Sequence, residues 1–232
     1  PNEYRTASGA PGPKYWQQRC DYDIVCELDE PNRRLTGKET ITYYNNSPDV
    51  LTYLWLQLDE NQHSSKKNAG YQNSSFMQKN MTENDLKPNR YDKEYGHNIT
   101  KVSTVAGAAL NYTINKTMMR VELPLPLKPG QQFAFKVDWN YYIVNRMKYG
   151  GRGGYEYFPE DGNDLFTMTQ WYPRLCVYSD NQGWQNQQFV GSGEFTLTFG
   201  NFKVAMTVPS DHVIMGTGQC QNYAQVLNAK EL

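Results

Sequence analysis

Residues 15–30 read YWQQRCDYDIVCELDE, and their period is two. Trp16, Gln18, Cys20, Tyr22, Ile24, Cys26 and Leu28 fall on one face of an extended chain, while Gln17, Arg19, Asp21, Asp23, Val25 and Glu27 fall on the other. Successive side chains of a strand point to opposite faces, so the pattern predicts a strand with one face in a core and the other in water. The same pattern settles a cysteine question. Cys20 and Cys26 share the apolar face but stand ~20 Å apart along a strand, far beyond the ~7 Å over which two Cα atoms can be bridged. They cannot pair with each other and are expected to be small core residues. The other two cysteines, Cys176 and Cys220, form no CxxC pair, so a cysteine zinc site has no support.

The alternation recurs along the chain. EPNRRLTG predicts a turn into a second strand, KETITYYNN, and a third follows at VLTYLWLQL with Thr52, Leu54, Leu56 and Leu58 on one face. Further strands are expected at ITKVSTV, ALNYTI, TMMRVELPL, QQFAFKVDWNYYIV and FTMTQWY. GEFTLTF and NFKVAMTVP read as a hairpin closed by Gly-Asn, and SDHVIMGTG as one strand more. There is no convincing amphipathic helix and no internal repeat; QNYAQVLNAKEL reads as the start of a helix or an exit segment. Many short strands between turn signals predict an all-β antiparallel sandwich or barrel, and 232 residues suit one such domain. Residues 1–14, rich in Gly, Pro, Ser and Ala, read as a linker or arm ahead of a domain spanning 15–232. Within it, residues 61–98 are a polar excursion of Asn, Ser, Lys, Gln and Asp without period.

Charge and motifs exclude several functions. With 23 basic and 24 acidic side chains the net charge is -1, and no basic block is interleaved with aromatics, so nucleic acid is not an expected partner. No run of the roughly 18 apolar residues needed for a membrane span occurs. His63, His97 and His212 have neither HExxH nor HxH spacing and are expected at the surface, so no metal site is assigned. GSGEF fails the nucleophile-elbow pattern, and YGGRGGYEYF lacks the Lys-Ser/Thr ending of a phosphate loop; its glycines suit positive φ or close backbone approach. Six Asn-x-Ser/Thr sequons, at Asn45, Asn73, Asn80, Asn98, Asn111 and Asn115, carry little weight in an asparagine-rich chain. One stretch asks for contact: in TMTQWYPRLCVY, proline removes a ladder donor and the adjacent Trp171 and Tyr172 would face opposite ways in a plain strand. That cluster suggests a strand end or a surface shaped to touch something.

The stretch TMTQWYPRLCVYSDNQGW, followed by GEFTLTFGNFKVAMTVPSDHVIMGTG, resembles the N-terminal domain of the aminopeptidase N family of zinc metallopeptidases. Thr169, Gln170 and Arg174 match that family's Thr-Gln segment and arginine; Val208, Pro209, Asp211, Val213 and Gly218 match its following phrase. LDEPNRRLTGKETITYYN, LTYLWLQLDEN and LPLPLKPGQQFAFKVDWNYYI agree in order and spacing, so the resemblance covers most of residues 15–218. It implies a saddle-like antiparallel β-sandwich without the thermolysin-like catalytic domain, stopping before the family's final sandwich strands. It places zinc, the general base and the GAMEN strand in that absent domain; neither HExxH nor GAMEN occurs here, so the chain alone is expected to have no catalytic residue and to hydrolyse nothing. The implied partners are a C-terminal catalytic domain of the same polypeptide and a peptide substrate, and the implied location is secreted, periplasmic or cell-envelope.

In that family the Thr-Gln-x-(Glu/Gln) segment reaches the active site, where the glutamine lines the first substrate pocket and the second polar residue holds the free amine. The resemblance therefore makes Gln170, Trp171 and Tyr172 candidate pocket-wall residues, with Tyr172 standing where the acid or amide would be. A phenol accepts a hydrogen bond from an ammonium but cannot match a carboxylate's charge-assisted bond, which implies an altered substrate range. Trp171 and Tyr172 suit a sandwich core equally well. Arg174 is expected to pair with an acid near the domain junction. Two other classes compete. With 18 tyrosines and 5 tryptophans, a free-standing carbohydrate-binding or interaction module is one, and it needs an exposed row of rings. A glycosidase is the other, and it needs two carboxylates, for example Glu156 and Glu194, roughly 5 to 10 Å apart.

Overall fold

A computed structural model describes residues 1–70, 79–83, 91–190, 193 and 195–230. The period-two stretch forms β1 (Arg19–Asp29), which turns through residues 30–33 into β2 (Arg34–Tyr44). β3 (Leu51–Gln57) follows, then β4 (Asn98–Thr104), β5 (Tyr112–Asn115), β6 (Met118–Leu127) and β7 (Gln132–Tyr142). A helical turn at Arg146–Tyr149, capped by the Asn145 side chain, leads to a hairpin of β8 (Gly154–Phe158) and β9 (Asn163–Thr167). The short strands β10 (Arg174–Leu175), β11 (Tyr178–Ser179) and β12 (Gly183–Trp184) precede β13 (Phe202–Thr207).

Two sheets make the body. One has the order β13-β1-β2-β7-β4 and the other β10-β3-β6-β5. Every pair is antiparallel except β1 with β13, which is parallel. The inner faces share one cluster: Tyr22, Ile24, Ile41, Phe135, Val137 and Trp139 from the larger sheet meet Leu54, Leu56, Met119, Val121 and Leu175 from the smaller. This is the expected all-β sandwich. Cys20 and Cys26 are buried and free, as the alternation requires.

The inner face of the larger sheet carries one conspicuous exception. Ile24, Glu39, Val137 and Val102 form a row across β1, β2, β7 and β4, and Glu39 is 1% exposed with neither carboxylate oxygen hydrogen-bonded. Burial pushes its acid well above the usual range, so the group carries its proton and sits in the row as a neutral side chain.

Several expectations fail for local reasons. Thr52 is exposed and Leu51 buried, because the β3–β6 register shifts between Leu51 and Tyr53 and reverses the facing there. FTMTQWY is a strand only to Thr167, which pairs with the first residue of β8, and Gln170 beyond it takes φ +55°. The Gly-Asn hairpin does not form: residues 195–200 are irregular, and Gly200 runs so close to β1 that a Cβ would lie 1.7 Å from the Cys20 carbonyl oxygen. SDHVIMGTG is irregular throughout. His63 and His97 are buried rather than at the surface. Asn45 is fully buried, its amide donating to the Asp49 and Leu127 carbonyls at 2.7 and 3.0 Å, so that sequon is closed in the folded chain. Asn73 and Glu194 lie outside the described residues.

Candidate functional site

β9 stops at Thr167, and the chain then crosses one end of the sandwich to reach β10, carrying the candidate residues across the gap. The crossing is prepared at the glycine-rich loop. Gly154 takes φ +134°, and a Cβ there would stand 2.5 Å from the Val144 carbonyl oxygen, which accepts the next amide, Tyr155 N–H, at 2.8 Å. Arg33, from the β1–β2 turn, pairs with Asp164 at 3.0 Å and lies 4.2 Å over the Tyr155 ring, tying the β8–β9 hairpin to the body.

Gln170, half-exposed, is one of three non-glycine residues with positive φ among the described residues. The next two side chains turn inward together. Trp171 meets Trp139 edge to face at 5.9 Å and Tyr172 at 5.0 Å. Tyr172 in turn meets Tyr22 at 5.5 Å and Phe202 at 6.2 Å. Both rings are partly buried against the core, because an irregular backbone releases adjacent residues from the opposite-face rule of a strand. Burial raises the Tyr172 phenol to about 12, so it stays protonated and can donate or accept a hydrogen bond but supplies no charge.

A seam of buried polar groups lies behind the aromatics. β3 runs out at Gln57, and a 3-10 helix at Asp59–His63 keeps Asp59, Glu60, Asn61 and His63 inside. Arg174 donates through Nε to Asp59 Oδ2 at 3.1 Å, adds a short second bond from Nη2 to the same oxygen, and reaches Gln57 Oε1 at 3.4 Å. The expected partnership of Arg174 with an acid is therefore present, and it is almost wholly buried. His97 Nε2–H points at the Trp171 carbonyl at 3.4 Å, and its ring lies edge-on to Trp139 at 5.6 Å. Burial drives His97 down to about 3 and His63 down to about 4, so both are neutral imidazoles. Burial, reinforced by the charge of Asp59, raises Glu60 to about 8. Glu60 lines a cavity of about 10 Å³ with Tyr141 and Thr169, about the room one water needs.

Chemically the seam is a set of buried groups that are paired or neutral. Asp59 is held by Arg174, and Glu39 and Glu60 keep their protons at neutral pH. Burial also raises the thiols of Cys20, Cys26 and Cys176, the second to about 11, so none of the three is a thiolate nucleophile. Among the described residues, three possible metal ligands converge once, at Glu30, Asp211 and His212, where His212 Nδ1 lies 3.1 Å from Asp211 Oδ1. His212 is the single histidine of the three and is already engaged by its neighbour Asp211.

Sequence reasoning singled out Gln170, Trp171, Tyr172 and Arg174 as candidates and passed over the seam. Glu39 was legible, since it falls in phase with Leu35, Ile41 and Tyr43. Asp59 and Glu60 follow Leu58 directly, yet nothing local distinguishes them from the polar excursion that begins after them at residue 61.

No family model matches this sequence, and no curated protein matches it either. Among solved structures, the M1 zinc metallopeptidase from Deinococcus radiodurans is similar at 15% identity and a TM-score of 0.43, over 84% of this chain and 33% of that one. A mutant two-domain M1 zinc metallopeptidase bound to L-arginine is similar at 14% identity and a TM-score of 0.42, over 83% and 33%. The chain thus spans about a third of the length of these structures. No described helix is long and apolar enough to cross a membrane.

Proposed function

We propose that this chain is the non-catalytic N-terminal domain of a secreted or envelope zinc aminopeptidase, and that Gln170, Trp171 and Tyr172 wall the peptide pocket of a following catalytic domain that holds the zinc. The reading rests on the ordered sequence phrases described above. The structural observation that carries it is the contact of Tyr172 with Phe202. Phe202 begins a stripe with Val204 and Met206 that is 39–51% exposed, so the candidate residues border apolar surface of the kind partners cover. Gln170 adds a second support: a non-glycine residue kept at positive φ costs about 1 kcal/mol, and such residues cluster at functional sites.

The test compares this chain with the complete product of its gene on a panel of aminoacyl chromogenic substrates, with zinc supplied. Activity is expected only in the longer protein. There, Gln170→Ala should change the ratio of kcat/KM between substrates while leaving bound zinc unchanged. A zinc-loaded longer product that cleaves none of the panel sinks the reading.

A further inference from the structure

We propose that the cleft between the N-terminal arm and the β11–β12 hairpin binds a neutral saccharide, at a site separate from residues 170–172. The inference does not depend on the pocket-wall reading, and a failure of either leaves the other standing. The cleft holds about 350 Å³, inside the range of small-molecule pockets, and suits one or two pyranose rings. One wall is the incoming chain at Tyr15 and Trp16, another is the hairpin from Tyr178 to Gln182, and residues Thr196 to Phe199 also line the cleft. Trp16 stands six residues before Tyr22, roughly 20 Å of extended chain from the aromatic group around Tyr172.

The aromatic wall is anchored. Trp16 stacks on Tyr178 with centroids 5.8 Å apart and planes 24° from parallel, Tyr178 meets Trp184 at 5.1 Å, and Trp184 meets the buried Tyr43 at 6.0 Å. This column runs from the core to the cleft and ends in a half-exposed indole, held in place before any ligand arrives.

The charge in the cleft is already balanced. Arg5 donates to both carboxylate oxygens of Asp180, at 2.6 and 2.7 Å, and the Asp180 side chain is 5% exposed. A phosphate, sulfate or peptide terminus therefore meets no spare counter-charge. What remains suits a sugar. The C–H face of a pyranose packs on an aromatic ring, whose face is the negative pole of its quadrupole, and the ring of hydroxyls both donates and accepts. Amides offer both roles, and the turn supplies Asn181 and Gln182, both exposed. Asn181 Oδ1 accepts from Ser179 Oγ at 3.0 Å, which orients its amide.

The test is an NMR titration of the isotope-labelled full chain with maltose, cellobiose and diacetylchitobiose in turn, each to about 10 mM, with sodium sulfate as the anionic probe. Saturable shifts are expected for at least one disaccharide, at the Trp16 indole and residues 178–182. Trp16→Ala should weaken that binding about tenfold or more, and Trp16→Phe should recover part of the loss. Because Trp16→Ala removes a packed ring, Asn181→Ala on the exposed turn serves as the second variant; it should weaken binding while the urea midpoint stays put. The inference is overturned if none of the three sugars gives a saturable shift. It is equally overturned if the shifts centre on residues 170–172, if sulfate binds more tightly than every sugar, or if neither substitution matters.

Discussion

β2 and β13 flank the same strand, one on each side of β1, and they live in different environments. β2 alternates buried residues with half-exposed or exposed ones, and its inner side chains reach the smaller sheet. All six residues of β13 are exposed, although Phe202, Val204 and Met206 alternate with Lys203, Ala205 and Thr207 as cleanly as any stretch in the chain. Pairing and burial are thus separate achievements. Backbone hydrogen bonds need only an edge, whereas burial of an apolar stripe needs a second layer opposite it, and among the described residues the smaller sheet supplies none there. Farther along, Val213 and Met215 are 55% and 93% exposed, so the uncovered character continues.

The largest test of this contrast is a pair of truncations. Trp139→Ala should cost about 3–5 kcal/mol, since the indole is 1% exposed and packs against His97, Tyr141 and Trp171. Phe199→Ala, at a ring 80% exposed, should stay within about 0.5 kcal/mol. Equal shifts in the urea midpoint would erase the distinction. Next in size is Asp59→Ala, which strands the Arg174 guanidinium and should cost about 3 kcal/mol or more. Replacing both partners with apolar residues of similar volume should restore most of that, as read by the same denaturation curves.

The buried seam also predicts how stability follows pH. His97 and His63 fall from 6.5 to about 3 and about 4, so below pH 6.5 the unfolded chain binds protons the folded chain refuses, and stability rises with pH across that window. Glu60 rises from 4.5 to about 8, so over that interval the folded chain keeps a proton the unfolded chain has lost, and stability falls as pH rises. Above pH 6.5 the unfolded histidines give up their remaining protons, and the two buried acids outweigh them. The urea midpoint should drop between pH 6.5 and 8, and Glu60→Gln should shrink that drop, leaving the share of Glu39. A midpoint that climbs over this interval contradicts the assignment.

Two smaller effects sharpen the edge. Gly200→Ala should push residues 202–207 away from β1, so their amides exchange hydrogen faster while those of the β1–β2 pair keep their protection. Gln170→Gly should stabilise the chain by up to about 1 kcal/mol, because glycine takes positive φ without a Cβ penalty. Destabilisation instead would mean that the side chain of Gln170 holds the crossing segment in place.

Much of the sandwich was legible. The strands from Arg19 to Tyr142 fall where alternation put them, and the burial of Cys20 and Cys26 followed from their shared face. The β8–β9 hairpin was not, because Gly154 to Thr167 mixes aromatics with glycines and acids and shows no clean period. The partnership of Arg174 with an acid could be expected, but its partner lies 115 residues earlier in the chain. Histidines in an Asn-rich stretch looked solvated, yet His97 is sealed beneath Trp139 and Tyr141.

By itself the sequence determined the β class, the facing of most strands, and the oddity of the segment around Gln170, since alternation and turn chemistry are written in neighbours a few residues apart. Only the tertiary structure decided that β13 joins β1 in parallel, that Glu60 and His97 are held neutral, and that Trp171 and Tyr172 share one cluster. Each of those depends on which distant surfaces close over a residue, and burial of that kind sets protonation and exposure without leaving a local mark in the chain.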